Sequence, residues 1–153
     1  MIVVSDTTAI TTLLKAGEIN LLKLLFEKIV IPQAVWDELM AYHKELPEFI
    51  SLRALMHKTE AIPALQPLGR GETEAIQLAR EIKADLLLMD DRKARHAASA
   101  LGIQCTSLVA LVVRARQAGQ IASARDFIEK LEKVGGLYLA ESVKSDALKL
   151  AGE

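Results

Sequence analysis

Short, wholly apolar runs alternate along the chain with longer stretches whose apolar residues recur every three or four positions. The run "MIVV" at the start is rich in β-branched residues and reads as a buried strand. After Ser5 and Asp6, Ile10, Leu13 and Leu14 share a helical face that Gly17 closes, and "INLLKLLF" makes a second short helix. "KIVIP" reads as another strand. Pro32 suits the start of the next helix, where its missing N–H would have no partner. That helix is expected to carry Val35, Leu39, Tyr42 and Leu46 on one stripe.

Residues 47–68, bounded by prolines, are expected to hold a short helix or two and a strand. "GRGETEAIQLAREIKA" then gives a helix with Ala75, Ile76, Ala79 and Ile82 on one side, and "DLLLM" a buried strand. Ala94, Ala97, Ala98 and Leu101 return to helical spacing, and "GIQCT" is a brief strand. Leu108, Leu111, Val112 and Ala115 mark a helix ending near Gly119. Phe127, Ile128, Leu131 and Val134 mark another, broken by Gly135-Gly136, and a last helix covers about 140–151.

Apolar strands alternating with amphipathic helices imply an α/β fold with a mostly parallel sheet covered by helices on both faces. In such folds ligands bind beyond the carboxyl ends of the strands, where the strand order reverses. The 153 residues suit one domain spanning 1–153. With 51% hydrophobic but only 4% aromatic residues, its core must be aliphatic. Cys105 is the only cysteine, which excludes an internal disulfide and agrees with a reducing cytoplasm. No secretory leader is visible in "MIVVSDTT", and "LVALVV" falls far short of the ~20 residues a spanning helix needs, so no membrane role is expected. A net charge of −1 means that any nucleic-acid role rests on a local basic patch.

Asp6 and Asp90 each follow an apolar strand run, so in a parallel sheet both reach the ligand-binding edge. Capping of the following helix is the alternative for each. At 100° per residue, Glu72 falls on the inward arc of Ala75, Ile76 and Ala79, whereas Glu74 lies nearly opposite and should be solvated. Placement in a helix's first turn, favoured by the dipole, is the alternative for Glu72. Glu38 sits at the edge of the Val35/Leu39/Tyr42 stripe, with Asp37 pointing away; taken alone, a solvated helix face is the favoured alternative for Glu38. Gathered, Asp6, Glu38, Glu72 and Asp90 would form a carboxylate cluster with Asp91 beside it. Such a cluster repels itself until a cation resolves it, and all-oxygen ligands suit Mg²⁺ or Mn²⁺ rather than zinc.

His43, His57 and His96 are isolated and read as surface or packing residues. No phosphate-binding glycine loop or nucleophile elbow is present, and Cys105 has no evident base. A divalent ion among carboxylates could activate water against a phosphodiester. Arg92, Lys93, Arg95 and His96 follow the acid pair at once, opposite the Ala94/Ala97/Ala98 face, and could hold an RNA backbone; Arg70, Arg114 and Arg116 could add to them. A merely solvated helix face is the alternative.

"VVSDTT", "IPQAVWDEL", "GRGETEAIQLA" and "ADLLLMDDRKAR" together resemble the PIN domain family, closest to a group of small prokaryotic members, and the resemblance covers essentially the whole chain. It implies a three-layer α/β/α fold of metal-dependent ribonucleases with four acids, which fall on Asp6, Glu38, Glu72 and Asp90. It also implies a Mg²⁺ or Mn²⁺ cofactor, an RNA substrate, a homodimer and, in many members, a small antitoxin partner that fills the acidic site. Two departures stand out: Leu88 replaces a Thr or Ser common two residues before the fourth acid, and the further acid is adjacent, as Asp91. Asp91 is therefore expected to serve as an auxiliary or second-metal acid. The aliphatic segments 8–25 and 47–62 are expected interface surfaces, with the core as their alternative. The rival function is a PIN-fold module that binds RNA or protein without cleaving; a metal-dependent hydrolase of small phosphates is a third.

Overall fold

The computed structural model describes residues 1–57, 65 and 67–153. Five strands form one parallel sheet: β1 (Val3–Ser5), β2 (Ile29–Ile31), β3 (Ile50–Leu52), β4 (Leu86–Leu88) and β5 (Cys105–Thr106). Between and after them lie α1 (Thr7–Ala16), α2 (Asn20–Phe26), α3 (Gln33–Met40), α4 (Arg70–Glu81), α5 (Arg92–Ala100), α6 (Leu108–Gln117), α7 (Ala124–Lys133) and α8 (Glu141–Leu150). β3 supplies the strand expected between 47 and 68; residues 47–57 hold no helix, and 58–64 and 66 lie outside the described residues.

Alternation along the strands divides the core in two. Val3, Ile29, Ile31, Leu86 and Leu88 point to one face, where α1, α2, α3, α6, α7 and α8 bury residues such as Ile10, Leu13, Leu22, Val112 and Ile128. Val4, Leu87 and Met89 point to the other face, against Ala75, Ile76 and Ala79 of α4 and Ala94 and Ala98 of α5. A strand buried on both faces has no polar side to show, which is why "LLLM" and the "VV" of β1 read as unbroken apolar runs. The result is the three-layer α/β/α sandwich that the sequence predicts.

The strand order is β3-β2-β1-β4-β5. The chain builds outward from β1 through β2 to β3, then returns to the opposite side of β1 for β4 and β5. The reversal therefore falls between β1 and β4, where the two crossovers leave in opposite directions and open a crevice at the strands' carboxyl ends. Val3 pairs with Leu86 and Ser5 with Leu88, so Asp6 and the Met89-Asp90 pair emerge there together.

Two apolar residues depart from their predicted faces. α3 ends at Met40, so Tyr42 lies beyond it and is 86% exposed instead of continuing the Val35/Leu39 stripe. Its N–H bonds back to Leu39 O, a tighter turn that unwinds the helix ahead of Pro47. Val134 is 55% exposed because it caps the end of α7, where the chain turns away. Gly135 then presses against α1: a Cβ there would stand 2.8 Å from Thr12 O and 2.7 Å from Leu131 O.

Candidate active site

Asp6 ends β1 and begins α1. Its Oδ1 accepts the Ala9 N–H at 3.1 Å, capping α1, and its Oδ2 accepts the Asp90 N–H at 3.2 Å. Capping and a place in the crevice are thus not alternatives here; one carboxylate does both. Asp6 is only 3% exposed. Burial, together with the negative charge of Asp90 and more weakly Glu72, pushes its pKa up to about 7 despite the two N–H donors.

The adjacent acids after β4 divide two tasks. Asp91 is the N-cap of α5, accepting the Ala94 N–H at 3.0 Å, and it is exposed. Asp90 is thereby left to face the crevice. Its Oδ1 accepts the N–H of Leu108, the first residue of α6, at 2.9 Å, while its Oδ2 is buried with no hydrogen-bond partner. Burial raises the Asp90 pKa, opposed by the Leu108 N–H and the charge of Arg95. A carboxylate oxygen buried without a donor is costly, and such an orphan calls for a cation or a proton.

Glu38 and Glu72 approach from the other side. Thr7, directly after Asp6, donates its hydroxyl to Glu38 Oε2 and so ties α3 to the start of α1. Gly71 lets the Glu38 carboxylate come close: a Cβ on that glycine would stand 2.7 Å from Glu38 Oε1. Glu72 turns back to accept the Gly69 N–H at 3.3 Å, so its cap role is also observed. Burial raises its pKa, with further contributions from Asp91 and Glu38. The acids from β1, α3, α4 and β4 therefore lie along one edge of the sheet, with Asp6 influenced by Asp90 and Glu72, and Glu72 by Asp91 and Glu38, while Glu38 itself is exposed.

Glu74 corrects the expectation of a solvated side chain. Its carboxylate accepts the Ala34 N–H at the start of α3 at 3.0 Å and pairs with Arg70 at 3.1 Å. Helical phase sets a direction relative to the sheet, but α3 packs on the flank of α4 and covers the side that phase assigns to water. Thr7, Gly71 and Glu74 are contributors that spacing did not single out; "SDTT" and "GRGE" held them only as neighbours of the acids.

The basic residues separate. Arg92 and Lys93 are exposed in the first turn of α5, directly after Asp90-Asp91, and Arg95 is half-buried with its charge reaching Asp90. His96 is exposed one residue further along α5. Arg70 is held by Asp37 and Glu74. Arg114 and Arg116 do not belong to the site. α6 starts at the crevice and rises 1.5 Å per residue, so they lie about 9–12 Å along it. There Arg114 stands over the Phe26 ring and Arg116 pairs with Glu153. Of the histidines, His57 is exposed, while His43 is half-buried with an unpartnered Nε2.

Among the described residues, no three Asp, Glu, His or Cys side chains stand close enough together, as they are posed, to hold a metal ion at once. The donor chemistry nevertheless fits a hard cation: oxygen only, partly desolvated, with Asp90 Oδ2 unpartnered. No helix among the described residues is long and apolar enough to cross a membrane.

The fold is similar to that of a PilT N-terminus domain protein from the hyperthermophilic archaeon Sulfolobus solfataricus P2. The TM-score is 0.55 at 23% identity, over 72% of this chain and 90% of that one. No curated protein sequence matches the chain. A family model described as PIN domain matches residues 2–153. PIN domains are generally nucleases that use divalent metal ions, which supports a hydrolase kind of activity for a chain with these acids. Matched over all but its first residue, and with its acids at the switch point of a parallel sheet, this chain belongs to the PIN domain family.

Proposed function

We propose that the protein is a Mg²⁺- or Mn²⁺-dependent endoribonuclease. The observation that carries this reading is the buried, unpartnered Oδ2 of Asp90 beside an Asp6 whose pKa is pushed up to about 7. A fold gathers such charge at the ligand edge at a cost in stability, and a cation relieves that cost. Asp6, Glu38, Glu72 and Asp90 would hold the ion, with Asp91 as an auxiliary acid. A divalent ion held there would supply activation of water and neutralisation of charge on a phosphodiester.

The chain's own groups do the rest. The Ala9 and Asp90 N–H groups orient Asp6, Leu108 N–H orients Asp90, and the Thr7 hydroxyl orients Glu38. Arg92, Lys93 and Arg95 hold the RNA backbone beside them. In this reading the protein acts in the cytoplasm as a homodimer and as the toxin of a toxin–antitoxin pair, restrained by a small partner covering the acids. The rival is a PIN-fold module that binds RNA or protein without cleaving. It is favoured by the absence of any three acids posed to hold an ion among the described residues.

Calorimetric titration with Mn²⁺ and Mg²⁺ of the wild type and of an Asp6→Asn/Asp90→Asn variant decides between them, with labelled single-stranded RNA incubated in parallel. The nuclease reading expects binding and metal-dependent cleavage in the wild type, both lost in the variant. A wild type that binds neither ion would make the acids structural and leave the binding module.

A further inference from the structure

A pocket of about 560 Å³ opens beside the acids on the side away from α5. Its walls are Thr7, Thr11 and Lys15 from α1, with Glu38, Ala41, Tyr42 and His43 from α3 and the turn after it. Thr7, Thr11 and Lys15 recur every four residues and so share one helix face. The pocket therefore leads away from Asp6 along α1 for about 12 Å. Its inner wall is the Thr7–Glu38 hydrogen bond, which belongs to the candidate site itself.

The lining is chemically mixed: Ala41 and the Tyr42 ring offer apolar surface, the two threonines, His43 and Glu38 offer polar groups, and Lys15 is the one lysine or arginine among the lining residues, at the far end. Tyr42 is one of two exposed aromatic side chains; the other, Tyr138, does not line this pocket. At 86% exposed, the Tyr42 ring buries little in the folded chain and leaves a face free to stack against a flat ligand in the pocket.

The sheet order separates this pocket from the basic residues. Tyr42 and Lys15 lie on the β1–β2 side of the acids, whereas Arg92, Lys93 and Arg95 follow β4 on the opposite side. A strand crossing the carboxylates would meet cations suited to phosphates on one side and an aromatic slot on the other. We propose that this pocket is a subsite for one unpaired nucleobase of single-stranded RNA flanking the scissile phosphate. Tyr42 stacks on the base and Lys15 meets the next phosphate. This rests on the ribonuclease reading above and names where its substrate lies.

The test measures binding apart from cleavage. A short fluorescein-labelled single-stranded RNA of mixed sequence is titrated, in Mg²⁺, into Asp90→Asn protein and the same variant carrying Tyr42→Ala, Tyr42→Phe or Tyr138→Ala. Tyr42→Ala is expected to weaken binding about tenfold with an unchanged salt slope, because stacking releases no counterions. Tyr42→Phe and Tyr138→Ala should bind like the parent. An RNA with all its bases removed should lose the Tyr42 dependence. Equal affinity with and without the Tyr42 ring, or the same loss on the abasic strand, overturns the subsite and leaves the pocket to a protein partner. Cleavage by the Asp90→Asn parent itself would instead strike at the ribonuclease mechanism, so the two failures are told apart.

Discussion

The backbone N–H of Asp90 donates to Oδ2 of Asp6 at 3.2 Å, joining the ends of β1 and β4 across the point where strand order reverses. The contact fixes how near the two carboxylates lie. It also places a negative charge where the fold can only partly compensate it. Stability should therefore depend on the protonation of this pair.

Asp6 titrates near 3.9 in an unfolded chain and at about 7 in the fold. The folded state then holds the proton more tightly. Its stability is greatest below the unfolded value and declines as pH rises towards 7. In EDTA, Asp6→Asn should thus stabilise the protein at pH 8, by roughly 1–3 kcal/mol after losing one N–H acceptor. The gain should shrink towards pH 4. Thermal melts across that range check the sign; a variant less stable than wild type at pH 8 contradicts the burial argument.

Divalent ions should reverse the same effect. Anything binding only the folded state stabilises it, by about 2.7 kcal/mol at a hundredfold excess over Kd. Mn²⁺ should raise the melting temperature of the wild type at neutral pH, and the Asp6→Asn/Asp90→Asn variant should show no rise. A metal-induced shift of equal size in both would move the ion elsewhere.

Glu74 joins the N-terminus of α3 to α4 through the Ala34 N–H and Arg70. Glu74→Ala removes that cap and should cost about 1–2 kcal/mol in chemical denaturation. No loss would return Glu74 to the solvated role that its helical phase suggests.

The two close-packed glycines should behave differently. Gly71→Ala intrudes on Glu38, the end of a flexible side chain, so it should reduce metal affinity and cleavage with little loss of stability. Gly135→Ala meets the backbone oxygens of Thr12 and Leu131, which cannot swing aside. It should destabilise the fold by roughly 1–3 kcal/mol. Melting and metal titration of both variants test this; similar melting losses would undo the distinction.

Replacing Arg92 and Arg95 by alanine should weaken RNA binding and flatten its dependence on salt, since each phosphate contact releases counterions. An unchanged slope would make these residues an ordinary solvated face.

By itself, the sequence determined the sheet, its layers, and the position of Asp6 and Asp90 at strand ends and of Glu72 at a helix start. Those features are local: β4 is apolar on both sides because both sides are covered, and Asp6 and Asp90 follow strands that must run parallel. What only the tertiary structure decided depends on neighbours far along the chain. Asp90 is free for the crevice because Asp91 takes the cap, and Glu74 is covered because α3 lies across α4. Arg114 and Arg116 leave the site because α6 runs back from it, while Tyr42 enters a pocket because its helix stops short. Periodicity gives the direction of a side chain within its own element. Which element stands opposite, and whether it brings a donor, a charge or open water, is settled only when the layers close.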